Sequence, residues 1–487
     1  MPEYRLKTLS RIGRSHRILL AIFLVTLPAV NPWVRGDGVG YYAYVRSLLI
    51  QGNLNFEQDW LHANDSFQLY RLDPNGKLKA AQYTATGHLE NIFSVGPSML
   101  WAPFLIVTHG GVLLLDRFGA QIPADGFSKP YVVTIALATG LYGFLGLLFS
   151  FELCRRHFAE RWALLATIGI WFASSLPVYM YFNPAWSHAH SAFIVAAFLW
   201  YWDRTRGTQT TLQWIILGAI GGVVVDVYYA DVIVLLAPAL ESLYEYYAGL
   251  KQPSKSNALG RLAIGNLAFL GAVIVTFLPT PIIRNIIAGR PFSSGYMETP
   301  WSWFHPQFLS VLFSSDHGLM SWTPVVIFAV LGLLAVYRTD RQLGAILIAV
   351  VLAFYYLICA KPIWDGLSSF GNRFFSPLTS IFVLGLAGTF TALEEFWGVQ
   401  RARMVAYGGT AILIVWNLAF IFQWGVHLVP ARGPVSWREM IHNQFTTVPE
   451  TFVNKVTQYA FNRRALMDQI EKTDIDQLKK ASTRPPQ

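Results

Sequence analysis

The sequence predicts an all-α membrane protein: a polytopic bundle of about eleven transmembrane helices with one long external loop. Composition is the first reason. Of 487 residues, 54% are hydrophobic, 15% aromatic and only 13% charged, whereas soluble domains carry ~25% charged residues. The second is that apolar runs recur along most of the chain, separated by short polar segments. The third is where the charge sits. The net charge of +9 comes from Lys and Arg in small groups between apolar runs, the pattern of orientation signals rather than of a nucleic-acid-binding patch, so no nucleic acid partner is expected. Cys154 and Cys359 lie far apart, in or beside apolar runs, and indicate neither a disulfide scaffold nor a metal knuckle.

Arg5, Lys7, Arg11, Arg14 and Arg17 precede an apolar run from Ile18 to Val34 with no small-residue cleavage site after it. This reads as an uncleaved first helix with its N-terminus inside, which puts Asp37 outside. Five basic groups then mark internal loops: Arg155, Arg156 and Arg161; Arg204 and Arg206; Lys251, Lys255 and Arg261; Arg338 and Arg341; Arg401 and Arg403. They call for about ten helices after the first. These fall at 131–151, 162–182, 187–202, 212–229, 231–249, 262–283, 321–337, 343–360, 374–393 and 405–428. The stretch from Ile92 to Leu115 is left over. Counted as a crossing it would reverse every later loop, and Gly96-Pro97 and Ala102-Pro103 break a clean helix, so it is expected to lie on the outer surface. Residues 39–50, with Val39, Tyr42, Ala43, Val45, Arg46 and Leu49, read as a second surface-lying helix. The first external loop, 35–130, is then about 95 residues of structured material, and loops that long usually carry function. The chain divides into a membrane domain, 1–428, and an external tail, 429–487. In the tail Trp437, Met440, Ile441, Phe445, Phe452, Val456 and Phe461 predict one or two amphipathic helices acting as lid or packing.

A carboxylate at the outer mouth of a membrane helix is costly, which makes Asp37, between Gly36 and Gly38, the leading functional candidate. Elsewhere on the outer face, His188 and His190 stand two apart. On a helix they diverge by about 200°, so they do not chelate one ion together, and one of them facing a cavity suits phosphate binding or proton transfer. Asp226 and Asp231 flank Tyr228 and Tyr229 in apolar surroundings where acids need water, a cation or a ligand. The segment from Lys361 to Pro377 combines Gly and Ser, for close backbone approach, with Arg373, whose fork of donors suits a phosphate. Arg284, Arg290, Tyr296, Glu298, His305, Asp316 and His317 share this face. Together they suggest a site for an amphipathic, anionic ligand.

Several stretches resemble one family: Gly36-Asp37-Gly38 followed by Tyr41-Tyr42, Phe93-Ser94-Val95-Gly96-Pro97 with Trp101-Ala102-Pro103-Phe104, Gly289-Arg290-Pro291-Phe292 with Gly295-Tyr296, and Phe370-Gly371-Asn372-Arg373-Phe374. With the order of elements, they make the chain similar to the membrane-embedded glycosyltransferases of the GT-C superfamily. That superfamily includes the protein O-mannosyltransferases and the lipid A aminoarabinose transferase. The resemblance implies transfer of a sugar from a polyprenyl-phosphate-linked donor to a glycan, lipid or protein acceptor outside, in a multi-pass bacterial inner-membrane protein. It implies inversion, with Asp37 as general base. Arg373, Lys361, Arg284 and His188 are then candidates for the donor phosphate, and Asp231, Glu90, Tyr41 and His190 for sugar or acceptor. Many members carry a second acid where this chain has Gly38, and a lone Asp37 argues for a mechanism with no metal and no cofactor. A lipid-linked glycan ligase or polymerase would use a similar outer cavity. A transporter would show internal repeats, which are not apparent.

Overall fold

The structure, a computed structural model, describes residues 13–251, 256–292 and 300–482. Arg5, Lys7, Arg11, Lys255, Gly295, Tyr296 and Glu298 lie outside the described residues. Among those described the chain is helical, with no strand and two isolated bridges, Leu72 to Leu78 and Tyr83 to Leu89. Helix α1 (Arg14–Thr26) leads into α2 (Asp37–Arg46). Then come α3 (Gly96–Arg117), α4 (Lys129–Cys154), α5 (Glu160–Ala173), α6 (His188–Thr205), α7 (Thr211–Val227), α8 (Leu236–Leu250) and α9 (Ser256–Phe277). The chain continues with α10 (Val325–Thr339), α11 (Arg341–Ala360) and α12 (Thr379–Gly425), the last interrupted at Gly398 (φ 74°). It ends with α13 (Trp437–Phe445), α14 (Thr447–Phe461) and α15 (Arg463–Ser482).

Five helical stretches among the described residues are long and apolar enough to cross a membrane: Gly96–Arg117, Lys129–Cys154, Ala258–Ala288, Arg341–Ala360 and Arg373–Gly425. Two shorter ones, Thr211–Val227 and Val325–Thr339, are apolar as well. Such helices meet through small residues, because tight backbone contact is what holds apolar helices together where water supplies no drive. At the crossing of α10 and α12, a Cβ on Gly332 would stand 1.8 Å from the Gly385 carbonyl oxygen.

Ion pairs gather the basic loops at one end of the bundle. Arg156, His157 and Arg206 converge on Asp203, Arg206 also reaches Asp340, and Arg161 holds Glu394. Ser15 and His16 at the start of α1 join Glu160 and Glu152 there. Glu241 of α8 ties in the 207–209 turn. Helix α1 leads away from this end, so Asp37 stands at the opposite one.

Three expectations are corrected. First, Ile92 to Leu115 is not broken: α3 runs without interruption through Pro103. Pro97 sits in its first turn, where a missing N–H costs nothing. At Pro103 one bond to Met99 is lost, and the Tyr142 hydroxyl of α4 donates to the Leu100 carbonyl at 2.9 Å. Trp101 to Thr139, Thr108 to Thr134 and His109 to Tyr131 continue the pairing, so α3 lies antiparallel to the first half of α4. Second, α2 is not surface-lying. Every residue from Gly38 to Arg46 is buried, and the helix is the core of the first loop because it is apolar on all faces. Its buried charge, Arg46, is satisfied by both oxygens of buried Asp59 at 2.5 and 2.6 Å. Third, the tail forms three helices, not one or two. α15 is tied to the first loop, with Asp474 holding Arg35 and His427 and Glu471 accepting from Asn64 and the Ser66 amide. Cys154 and Cys359 are both buried and free.

Candidate functional site

Asp37 is the first residue of α2, and its setting explains the glycines around it. Gly36 has φ 53°, a conformation that side chains disfavour, and a Cβ there would stand 3.2 Å from the Trp186 ring. At Gly38 a Cβ would come within 2.5 Å of Ala185 Cβ. A second acid at this position therefore has no room: the start of α2 is pressed against the 183–187 turn. The Trp186 indole donates to the Arg35 carbonyl at 3.1 Å and locks the approach.

The Asp37 carboxylate, 29% exposed, accepts at Oδ2 from Arg373 Nη1 at 2.7 Å. Arg373 lies at the end of the 361–373 loop, buried with its guanidinium 4.3 Å above the Trp186 ring. Its Nε is buried and has no hydrogen-bond partner among the described residues. Lys361 stands beside the pair. Its Nζ lies 3.5 Å over the Phe374 ring and donates to the Tyr228 hydroxyl at 3.1 Å. Burial, and then the nearby Arg373 charge, push Lys361 down to about 7. His188, buried, packs edge-on against Tyr179 at 4.6 Å and near Tyr228 at 6.1 Å. Tyr41, one turn along α2 from Asp37, accepts from the Ser187 hydroxyl at 3.0 Å. Burial, and then Asp37, hold its phenol protonated. The fold thus brings Asp37, Arg373, Lys361, His188 and Tyr41 together from three separate stretches of chain.

Asp231 lies close behind Tyr228, fully buried, accepting from Ser191 while its Oδ1 makes no hydrogen bond. Asp226 is similar, held by Thr280 with Oδ2 unpaired. Arg284 is used otherwise than expected. Its guanidinium donates to the Asn91 and Phe93 carbonyls and to the Tyr229 hydroxyl, so it braces the first loop instead of offering its fork to a phosphate. His190 is sealed between Trp101 and Tyr142, on a different side of α6 from His188. Glu90 is exposed on the first loop, its amide donating to the Gln82 carbonyl at 2.8 Å.

One grouping was not legible as a site in the sequence. Asp316, His317 and Asp365 each direct a ligand atom into one space, all within 4.8 Å of one another. Burial, and then the Asp365 carboxylate, push Asp316 up to about 6. Burial, and then Arg373, push His317 down to about 3. Asp316 and His317 were visible as outer-face residues, but their third partner is distant in sequence and no spacing rule connects it.

No protein-family model matches the chain, and no curated protein matches it. Among solved structures it is similar to the oligosaccharyltransferase of Archaeoglobus fulgidus. The apo form is 14% identical, with a TM-score of 0.46, over 89% of this chain and 54% of that one. The complex with an inhibitory peptide and a dolichol-phosphate is 13% identical, with a TM-score of 0.43, over 95% and 56%. The complex with Zn and sulfate is 15% identical, with a TM-score of 0.38, over 79% and 55%. The chain spans little more than half the length of these proteins.

Proposed function

We propose that this protein is a membrane-embedded glycosyltransferase of GT-C type that moves a sugar from a polyprenyl-phosphate-linked donor to an acceptor hydroxyl. The observation that carries the reading is the 2.7 Å pair between Asp37 and Arg373. A base for the acceptor and a cation for the leaving phosphate stand side by side, at the end of the bundle away from the paired basic loops. With those loops in the cytoplasm, as the positive-inside rule directs, Asp37 faces outward.

In the reaction, Arg373 holds Asp37 through Oδ2 and leaves Oδ1 to take the acceptor proton. The acceptor oxygen forms the new bond to the anomeric carbon from the side opposite the phosphate. The bond from that carbon to the phosphate oxygen breaks, and its electron pair leaves with the lipid phosphate. Inversion follows from the single displacement. The charge on the leaving group is met by Arg373, whose Nε has a free donor, and by Lys361, with aromatic walls excluding water. Tyr41 and His188 line the same space and bind the sugar or acceptor.

The test compares purified wild type and Asp37→Asn, given radiolabelled polyprenyl-phosphate sugars and membrane acceptors. Asp37→Asn is expected to lose at least ~10²-fold in transfer rate, the lower range for a positioned acid or base. Equal transfer by both proteins would falsify the assignment of Asp37. Accumulation of a solute in proteoliposomes with no transfer would favour a transporter instead.

A further inference from the structure

We infer that Asp316, His317 and Asp365 form a binding site for a divalent metal ion of the Zn2+ or Mn2+ class. The ligands come from two loops: the 314–318 turn that enters the short helix Leu319–Trp322, and the loop that ends in Arg373. Two carboxylate oxygens and an imidazole nitrogen lie within 4.8 Å of one another. Around a bound ion such atoms stand about 3 to 3.5 Å apart, so binding draws the two loops together by about 1 Å.

His317 is the independent sign that the space is meant for a ligand. It is fully buried, and neither ring nitrogen makes a hydrogen bond. Its Nδ1 faces Asp316 Oδ1 at 3.4 Å, and that buried oxygen is also without a hydrogen bond. Buried polar atoms are normally paired, and a cation satisfies both of these at once while cancelling the repulsion between Asp316 and Asp365. The ring is held in place 4.7 Å from Trp322, on a backbone at φ 58°. One imidazole with two carboxylates suits Zn2+ or Mn2+ better than Mg2+ or Ca2+, which prefer all-oxygen shells. Three protein ligands leave a coordination position open.

The ion has a structural consequence. Gly366, next to Asp365, packs so closely on Arg373 that a Cβ there would stand 3.2 Å from Arg373 Nε. Fixing Asp365 therefore fixes the loop carrying Lys361 and Arg373. The metal site itself does not depend on the transfer reading; only the benefit to Arg373 rests on it.

The test uses the full chain in nanodiscs, free of affinity tags, stripped with chelator and re-equilibrated with Zn2+, Mn2+ or Mg2+. The expected result is about one equivalent of Zn2+ or Mn2+ by elemental analysis, with a higher Tm on metal addition. Co2+ is expected to give a visible absorption band. His317→Asn, which tolerates the left-handed backbone, and Asp365→Asn should each weaken metal binding by at least ~10-fold and remove the band. Asp37→Asn should keep its metal whatever it does to transfer, which separates the two readings. Less than about a tenth of an equivalent in wild type, or binding unchanged in both ligand variants, overturns the site. Preference for Mg2+ over Zn2+ and Mn2+ overturns the metal class.

Discussion

At the residue scale the proposed chemistry rests on a few close contacts, and Gly38 shows how narrowly. With Ala185 only 2.5 Å from where its Cβ would be, Gly38→Ala should destabilise the start of α2 by about 1–3 kcal/mol, the cost of overpacking a rigid contact. A drop in Tm together with slower transfer is the expected reading, and an unchanged Tm would show that the turn yields freely. Lys361 sets a pH dependence. Held near 7, it is a cation below that value and neutral above it, so kcat/KM for an anionic donor should fall as pH rises through about 7. Lys361→Arg stays charged and should flatten that limb; an unchanged pH profile removes Lys361 from donor binding. The same depressed value makes burial of the charged amine a cost at low pH. Its contribution to stability therefore improves as pH rises from about 7 towards the unfolded value of ~10.4. Asp37 and Arg373 were readable in the sequence because charge beside apolar spans demands a reason. Arg284 was not, because the carbonyls it braces belong to a loop far away along the chain.

Among the elements, the C-terminal helix α15 shows how a tail becomes part of the site's frame. Asp474 joins Arg35, two residues before Asp37, to His427. Burial works against the Asp474 carboxylate, but His427 and Arg35 together hold it below the usual range. The stability it supplies is therefore present above ~3.9 and lost as pH falls through its lowered value. Asp474→Asn should cost about 1.5–3 kcal/mol, as for hydrogen bonds to charged groups. It should also raise amide exchange across residues 60–72, where Glu471 and the Leu478 carbonyl hold Asn64, Ser66 and Tyr70. Exchange unchanged there would mean that α15 merely rests on the loop. Periodicity foretold helices in this tail. It could not tell that α2 is wrapped by its own loop, since an all-round apolar helix reads the same beside lipid as inside a protein core.

On the scale of the whole molecule, the bundle is polarised. Paired basic loops close one end and the Asp37 group opens at the other, separated along α4 by up to ~39 Å of helix. A reporter placed after residue 120 and one inserted near residue 158 should report opposite sides of the membrane. The same side for both would break the span order and the outward placement of Asp37. Composition, apolar run length and the grouping of Lys and Arg determined the helical membrane class, the positions of most helices and the residues worth suspecting. Each of these is a local property, set by what a short stretch costs in lipid or in water. The tertiary structure alone decided which suspects meet. It joined Asp37 to Arg373 across the chain, spent Arg284 on carbonyls, left Gly38 no room for a second acid, and gave Asp316 and His317 their partner Asp365. Contacts between distant residues depend on how the helices pack, and no local pattern encodes them.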